Sequence, residues 1–351
     1  MERILLEHFR RYPAMEVRDM IKLLYQSEFG GGHMVEDREK ALCRLKAECG
    51  ECPGGAGIRF EDIGGGLCRM YLAKELPLSA ERINAAFVLE AGRSRGSLAG
   101  LEEKFRLLRK LCLEGKLPFS AGELDRCWEQ YRREGFPPVS HSEGYRRAYR
   151  PAYRVVSREV ERWFPALCAI DRQLLLKGSA LVAVDGCSGS GKSHLGALLR
   201  ELFDCRLFHM DDYFLRPEQR TAQRFSQPGG NLDYERFDDE VIQNLHREEG
   251  VVFRRFDCGA QALQAPQTVP PAALTVLEGV YSCHPRWRER LDLEIFLKVS
   301  PGVQKKRILA RNGPRMLERF EREWIPLENR YFEECGLPGA DALVLDTEWD
   351  E

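Results

Sequence analysis

The octapeptide Gly186-Cys-Ser-Gly-Ser-Gly-Lys-Ser193 constrains this chain more than any other segment. Glycine loses more conformational freedom on folding than any other residue, so Gly186, Gly189 and Gly191 are costly unless the backbone must approach something closely. The spacing G-x-x-x-x-G-K-[ST] turns backbone N–H groups inward around a phosphate. Its lysine reaches the β- and γ-phosphates and its hydroxyl holds Mg²⁺. The flanks agree. Ala180–Val184 is an apolar run of strand length, and a helix pattern begins near Lys192. The positive end of that helix adds to the field on the phosphates. ATP and Mg²⁺ are the expected cofactors. Gly186, Ser188, Gly189, Ser190, Gly191, Lys192 and Ser193 would surround the phosphates, with Ser193 on the metal.

Such a loop binds a donor and leaves the acceptor open. Three later segments narrow it. Phe208-His-Met-Asp211-Asp212-Tyr213-Phe214 puts two carboxylates at the end of the second strand, expected next to the loop, where one could take a proton from an acceptor hydroxyl. The plain alternative is a turn or helix cap. Thr275-Val-Leu-Glu278-Gly279 ends a buried strand on an acid, the expected place for a Mg²⁺-linked carboxylate. Lys305, Lys306, Arg307, Arg311 and Arg315 line a helix and the following turn. They could close over a triphosphate, or form a solvated basic face.

With these motifs in order, residues of about 179–346 resemble the uridine kinase / phosphoribulokinase group of P-loop kinases. The resemblance covers half the chain. It implies a parallel α/β sheet with helices on both faces and transfer of a γ-phosphoryl group to a hydroxyl. Asp211-Asp212-Tyr213-Phe214 is similar to the family's Asp-x-Phe/Tyr-Tyr segment, which implies Asp211 as the base. Pro228-Gly-Gly-Asn231-Leu-Asp233 is similar to the segment whose Asp holds the acceptor's ribose hydroxyls, here Asp233. Glu278 matches the Mg²⁺-associated acid, and Arg311 and Arg315 fall in the lid region. One stretch departs. The family's Tyr-Asp-Phe-x-x-His, which contacts the base, stands here as Phe256-Asp257-Cys258-Gly259-Ala260-Gln261. Phe256 and Gln261 replace the two groups that would read uracil, and losing such partners weakens discrimination. Gln261 could still read an amide or another base.

The strand-and-helix alternation across 179–351 supports the same parallel sheet, with strands at Leu207–Met210, Val251–Phe253, Leu274–Leu277, Leu293–Val299 and Ala342–Leu345. Residues 1–155 read as a mainly helical domain of unknown role, with a helical connector at 156–178. Val17, Met20, Ile21 and Leu24 share a helix face that Gly30 stops, and Ser120 with Glu123 forms a capping box. Gly64–Gly66 suits a short hairpin. The run from Tyr25 to His33 sets three glycines between Glu28 and His33, which reads as a helix stop or a ligand loop. In 141–162, Tyr145, Tyr149 and Tyr153 recur among arginines, giving either an amphipathic connector or an anionic-ligand surface.

A formal charge of −2 excludes a polyanion binder by bulk charge, and no apolar run reaches the ~18 residues of a membrane span. A cytoplasmic location is the default expectation. The twelve cysteines read as reduced thiols. Cys43, Cys49, Cys52 and Cys68 include one C-x-x-C without a second, so metal binding there stays open. The leading function is an ATP-dependent phosphotransferase acting on a nucleoside or similar small hydroxyl compound. The alternatives are a nucleotide-gated RNA- or protein-binding switch and a polynucleotide 5′-hydroxyl kinase. Homo-oligomerisation stays open.

Overall fold

The computed structural model describes residues 1–349 except 33, 34, 36, 55, 56, 94 and 95. His33 lies outside the described residues. The chain divides into two compact units, Met1–Phe164 and Pro165–Glu351.

Unit 1 contains α1 (Glu2–Arg11), α2 (Val17–Phe29), α3 (Arg38–Glu51), β1 (Arg59–Gly64), β2 (Leu67–Tyr71), α4 (Ala80–Ala91), α5 (Leu98–Leu113), α6 (Ala121–Arg133), α7 (Glu143–Tyr149) and β3 (Tyr153–Ser157). α8 (Arg158–Lys177) starts in unit 1, and the division falls at its internal Pro165. α2 starts on a reciprocal cap between Glu16 and Asp19 and stops at Gly30, φ +66°. Its Met20, Leu23 and Leu24 join Leu101, Leu108 and Leu124 in one core. Glu28 is occupied by Lys104 at 2.8 Å and by the Ser97 N–H at 2.8 Å, as a helix-end residue would be.

The strands β1-β2-β3 form an antiparallel sheet. The hairpin expected at Gly64–Gly66 joins β1 to β2, and a Cβ at Gly65 would lie 2.3 Å from the Ser27 carbonyl oxygen. The third strand corrects the helical reading of its segment. Tyr153-Arg-Val-Val-Ser157 is buried throughout, and its paired β-branched valines suit a strand packed on both faces. Tyr145 is fully buried and Tyr153 nearly so, which removes both from any base-stacking surface. Arg154 is spent on Glu48 at 2.7 Å, while Arg146, Arg147 and Arg150 are exposed. The Cys68 thiol turns to the Val156 and Ser157 carbonyls. Among the described residues, no three His, Cys, Asp or Glu side chains are grouped to hold a metal.

Unit 2 continues with β4 (Ala180–Gly186), α9 (Lys192–Leu202), β5 (Cys205–His209), a 3₁₀ turn at Met210–Tyr213, α10 (Ala222–Phe225), α11 (Tyr234–Glu240), β6 (Val251–Phe253), β7 (Phe256–Asp257), β8 (Ala262–Leu263), β9 (Gln267–Val269) and β10 (Leu274–Glu278). It ends with α12 (Pro285–Arg288), β11 (Leu293–Lys298), α13 (Pro301–Asn312), α14 (Pro314–Arg319), α15 (Ile325–Glu334) and β12 (Leu343–Asp346). The main sheet is parallel, in the order β12-β11-β4-β10-β5. Every residue of β4 and β10 is buried, as a parallel sheet covered on both faces requires.

β10 lies between β5 and the loop strand β4, so the end of β5 meets the loop through Glu278, which is bonded to both His209 and Ser193. One expectation needs correction. Val251–Phe253 is a strand, but it pairs antiparallel with β9 outside the main sheet. Among the described residues no helix is long and apolar enough to cross a membrane.

Candidate active site

Parallel register builds the site. Glu278, the last residue of β10, is opposite Val184 on one side and His209 on the other. The next three residues of β4 and its loop, Asp185 to Cys187, thus start beside the acid. Gly186 has φ +132°, and a Cβ there would meet the Leu297 carbonyl oxygen at 2.1 Å, so only glycine fits. Gly191 (φ +96°) caps α9, whose first residues are Lys192 and Ser193.

Ser193 Oγ donates to Glu278 Oε1 at 3.1 Å, and His209 Nδ1 lies 2.6 Å from Glu278 Oε2. Burial alone would raise the Glu278 carboxyl. The His209 bond and the Lys192 charge outweigh it and hold the group below its usual value. His209 is correspondingly raised, chiefly by that bond. Lys192 is buried, and its Nζ donates to the Gly186 and Cys187 carbonyls at 2.8 and 2.9 Å. Ser190 is fully buried and its Oγ has no partner among the described residues.

Asp211 lies on the 3₁₀ turn that follows His209. It is exposed, yet protein atoms crowd its carboxyl closely enough to raise it. The Glu278 charge raises it further, against the opposing pull of Lys192 and His209. Its neighbour Asp212 pairs with Arg255 at 3.3 Å.

Asp233 is brought to this turn by backbone pairing. Its N–H donates to the Tyr213 carbonyl at 2.7 Å, and Phe214 bridges Leu232. The carboxylate is buried, capping α11 and accepting from Arg236 Nε at 3.3 Å. Arg236 also donates to the Asp212 carbonyl at 3.0 Å and so ties the two acidic segments together. Beside them is a cavity of about 380 Å³ lined by Arg216, Arg224, Asp233, Arg236 and Arg254, among others.

Phe256 is buried in β7, which packs near the 3₁₀ turn. Gln261 is exposed at φ +52°, its side-chain amide donating to the Cys258 carbonyl of its own turn. Arg311 and Arg315 are exposed, and Arg311 Nε bonds Asn312 next door. Arg307, one turn earlier on α13, reaches the loop, donating to the Gly189 carbonyl at 3.3 Å.

Four residues here were not singled out from the sequence: His209, Asp185, Arg236 and Glu328. Asp185 is fully buried and accepts from the Gly186 N–H, the Cys283 N–H and the Tyr331 hydroxyl. Glu328 accepts the Ser188 N–H at 3.0 Å and the Ser188 hydroxyl. His209 lies within one quoted motif and Asp185 directly precedes another, so their positions carried a signal. Glu328, 140 positions from Ser188, carried none.

No protein-family model matches the sequence, and no curated protein matches it. Solved structures similar to the chain include one described as a possible uridine kinase from Bacillus stearothermophilus. It shares 19% identity with a TM-score of 0.39, covering 51% of this chain and 97% of its own. A deoxyadenosine kinase from M. mycoides with bound dATP is similar at 15% identity and a TM-score of 0.26, covering 48% of this chain and 92% of its own.

Proposed function

We propose that unit 2 is an ATP-dependent phosphotransferase that moves a γ-phosphoryl group to a hydroxyl of a nucleoside or similar small molecule. One observation carries this reading. Lys192, Ser193, Glu278 and Asp211 converge at adjacent strand ends, with Ser193 bonded to Glu278 and Asp211 coupled in charge to both Glu278 and Lys192.

The donor set suits the cofactors. The Ser193 hydroxyl and the Glu278 carboxylate are the hard oxygen ligands Mg²⁺ takes. The buried, unpartnered Ser190 Oγ suits a phosphate oxygen. Mg²⁺ at this position would offset negative charge on the phosphates. Lys192 turns from the Gly186 and Cys187 carbonyls toward the same charge. Asp211 orients the acceptor hydroxyl and takes its proton, and its raised basicity favours that step. Asp233 has lone pairs beyond those used by Arg236, so it can hold further hydroxyls of the acceptor. Phe256 lacks a hydroxyl and Gln261 is tied to Cys258, which supports an acceptor defined by its hydroxyls more than by a uracil base.

The test is ADP release against nucleosides, pantothenate-like alcohols, sugars and short RNA, with Lys192→Ala as control. Stimulation by one small hydroxyl compound, lost in the control, supports the proposal. Stimulation by RNA alone would favour a polynucleotide kinase. Tight ATP binding with no stimulation would favour a nucleotide-gated binding protein.

A further inference from the structure

α15 grips the phosphate-binding loop at two points from one face. Glu328 and Tyr331 are three residues apart, the spacing that stacks side chains along a helix. Glu328 takes both the N–H and the hydroxyl of Ser188. The Tyr331 hydroxyl donates to Asp185 at 2.9 Å, and Asp185 in turn holds the Gly186 N–H. Both acids are buried, and the loop's own cation, Lys192, is turned to carbonyls of the loop. A carboxylate therefore sits on a backbone N–H of a loop whose N–H groups otherwise serve an incoming phosphate.

We propose that Glu328 is a positioning residue for the nucleotide: acting through Ser188, it orients the loop's backbone, and triphosphate binding adds a proton to this carboxylate. The inference rests on the proposed function only in that ATP binds this loop. The proton comes from solvent, and no other bond forms or breaks. The charges around Glu328 set the sign. Burial raises its carboxyl first, Lys192 opposes that, and Asp185 raises it again. Cys187 and Tyr281 are the other titratable groups coupled to it. Phosphates bring negative charge and draw Lys192 away, and both changes favour the protonated form.

The experiment is calorimetric titration of the full chain with ATP in two buffers of different ionisation enthalpy, from pH 6 to 8. Wild type should take up more protons per ATP than Glu328→Gln, by up to about half a proton, the most that a shift of one pKa unit gives. Glu328→Gln keeps an acceptor for Ser188 without the charge. It should bind ATP about ten-fold tighter at pH 8, the equivalent of one pKa unit, and with a flatter pH dependence. Should that variant fail to fold, Ser188→Ala removes a bond that favours the ionised form, and proton uptake at pH 7 should fall. Equal proton counts and equal pH profiles in variant and wild type would overturn the proposal. Absence of ATP binding in wild type would instead overturn the nucleotide reading on which it rests.

Discussion

The Ser193 hydroxyl, on the first turn of α9, donates to Glu278 Oε1 at the end of β10 at 3.1 Å, although 85 positions separate the two residues in sequence. Parallel pairing of β10 with β4 sets this distance, because Glu278 is the last paired residue before the loop opens. Replacing the acid tests the metal role. Glu278→Gln should lower turnover about 10²–10³-fold, the usual loss for one electrostatic stabiliser, and raise the Mg²⁺ required. ATP binding without Mg²⁺ should persist. The His209 resonance should titrate at lower pH, since the bond to Glu278 is what raises it. An unchanged Mg²⁺ requirement would remove Glu278 from the metal.

Gly186→Ala should abolish ATP binding and destabilise the chain by at least about 1–3 kcal/mol, the range for a residue forced into a rare backbone region. The added Cβ would collide with the Leu297 carbonyl, and neither backbone can retreat without breaking the β4–β11 pairing. Wild-type affinity with an unchanged urea midpoint would contradict this.

Unit 1 should be labile to acid. His141 is buried between Asp19 at 2.8 Å and Tyr153 at 2.7 Å. Burial lowers its pKa from 6.5 to about 4, although the Asp19 bond opposes this. The unfolded chain therefore binds a proton that the folded chain refuses, and stability falls as pH drops from 6.5 to 4. The loss from this group is about 3 kcal/mol. The urea midpoint of the full chain should fall over that interval. It should fall less in His141→Gln once the variant's lower starting stability is subtracted.

Much of unit 2 was legible because its signals are local. The strand, loop and helix around Gly186–Ser193 follow from about a dozen consecutive residues, Asp211 and Glu278 sit at ends of apolar runs, and Asp233 closes the Pro228-Gly-Gly-Asn-Leu turn. Long-range pairing was not legible. Nothing in Leu207–Met210 says that β10 will lie between it and β4. Tyr145, Tyr149 and Tyr153 keep a helical spacing across a break: α7 ends at Tyr149 ahead of Pro151, and β3, with Val155 and Val156 in its middle, starts at Tyr153. Arg307 and Arg311 are one helical turn apart on α13, and only the folded helix shows that Arg307 reaches Gly189. Glu328 meets Ser188 through packing of α15, for which the sequence holds no motif.

In the proposed reaction Asp211 acts on the acceptor while the loop binds the donor. With the acceptor found by the ADP-release assay, the direct measurement is Asp211→Asn, read as ATP affinity and as turnover. ATP affinity should stay within a few-fold of wild type, while turnover falls about 10²–10⁴-fold, the usual contribution of a general base. The acid limb of kcat/KM in wild type should lie above the ordinary carboxylate range, because the protein atoms crowded round its carboxyl and the Glu278 charge raise Asp211, and it should vanish in the variant. Full turnover in Asp211→Asn, with the limb intact, would contradict the account.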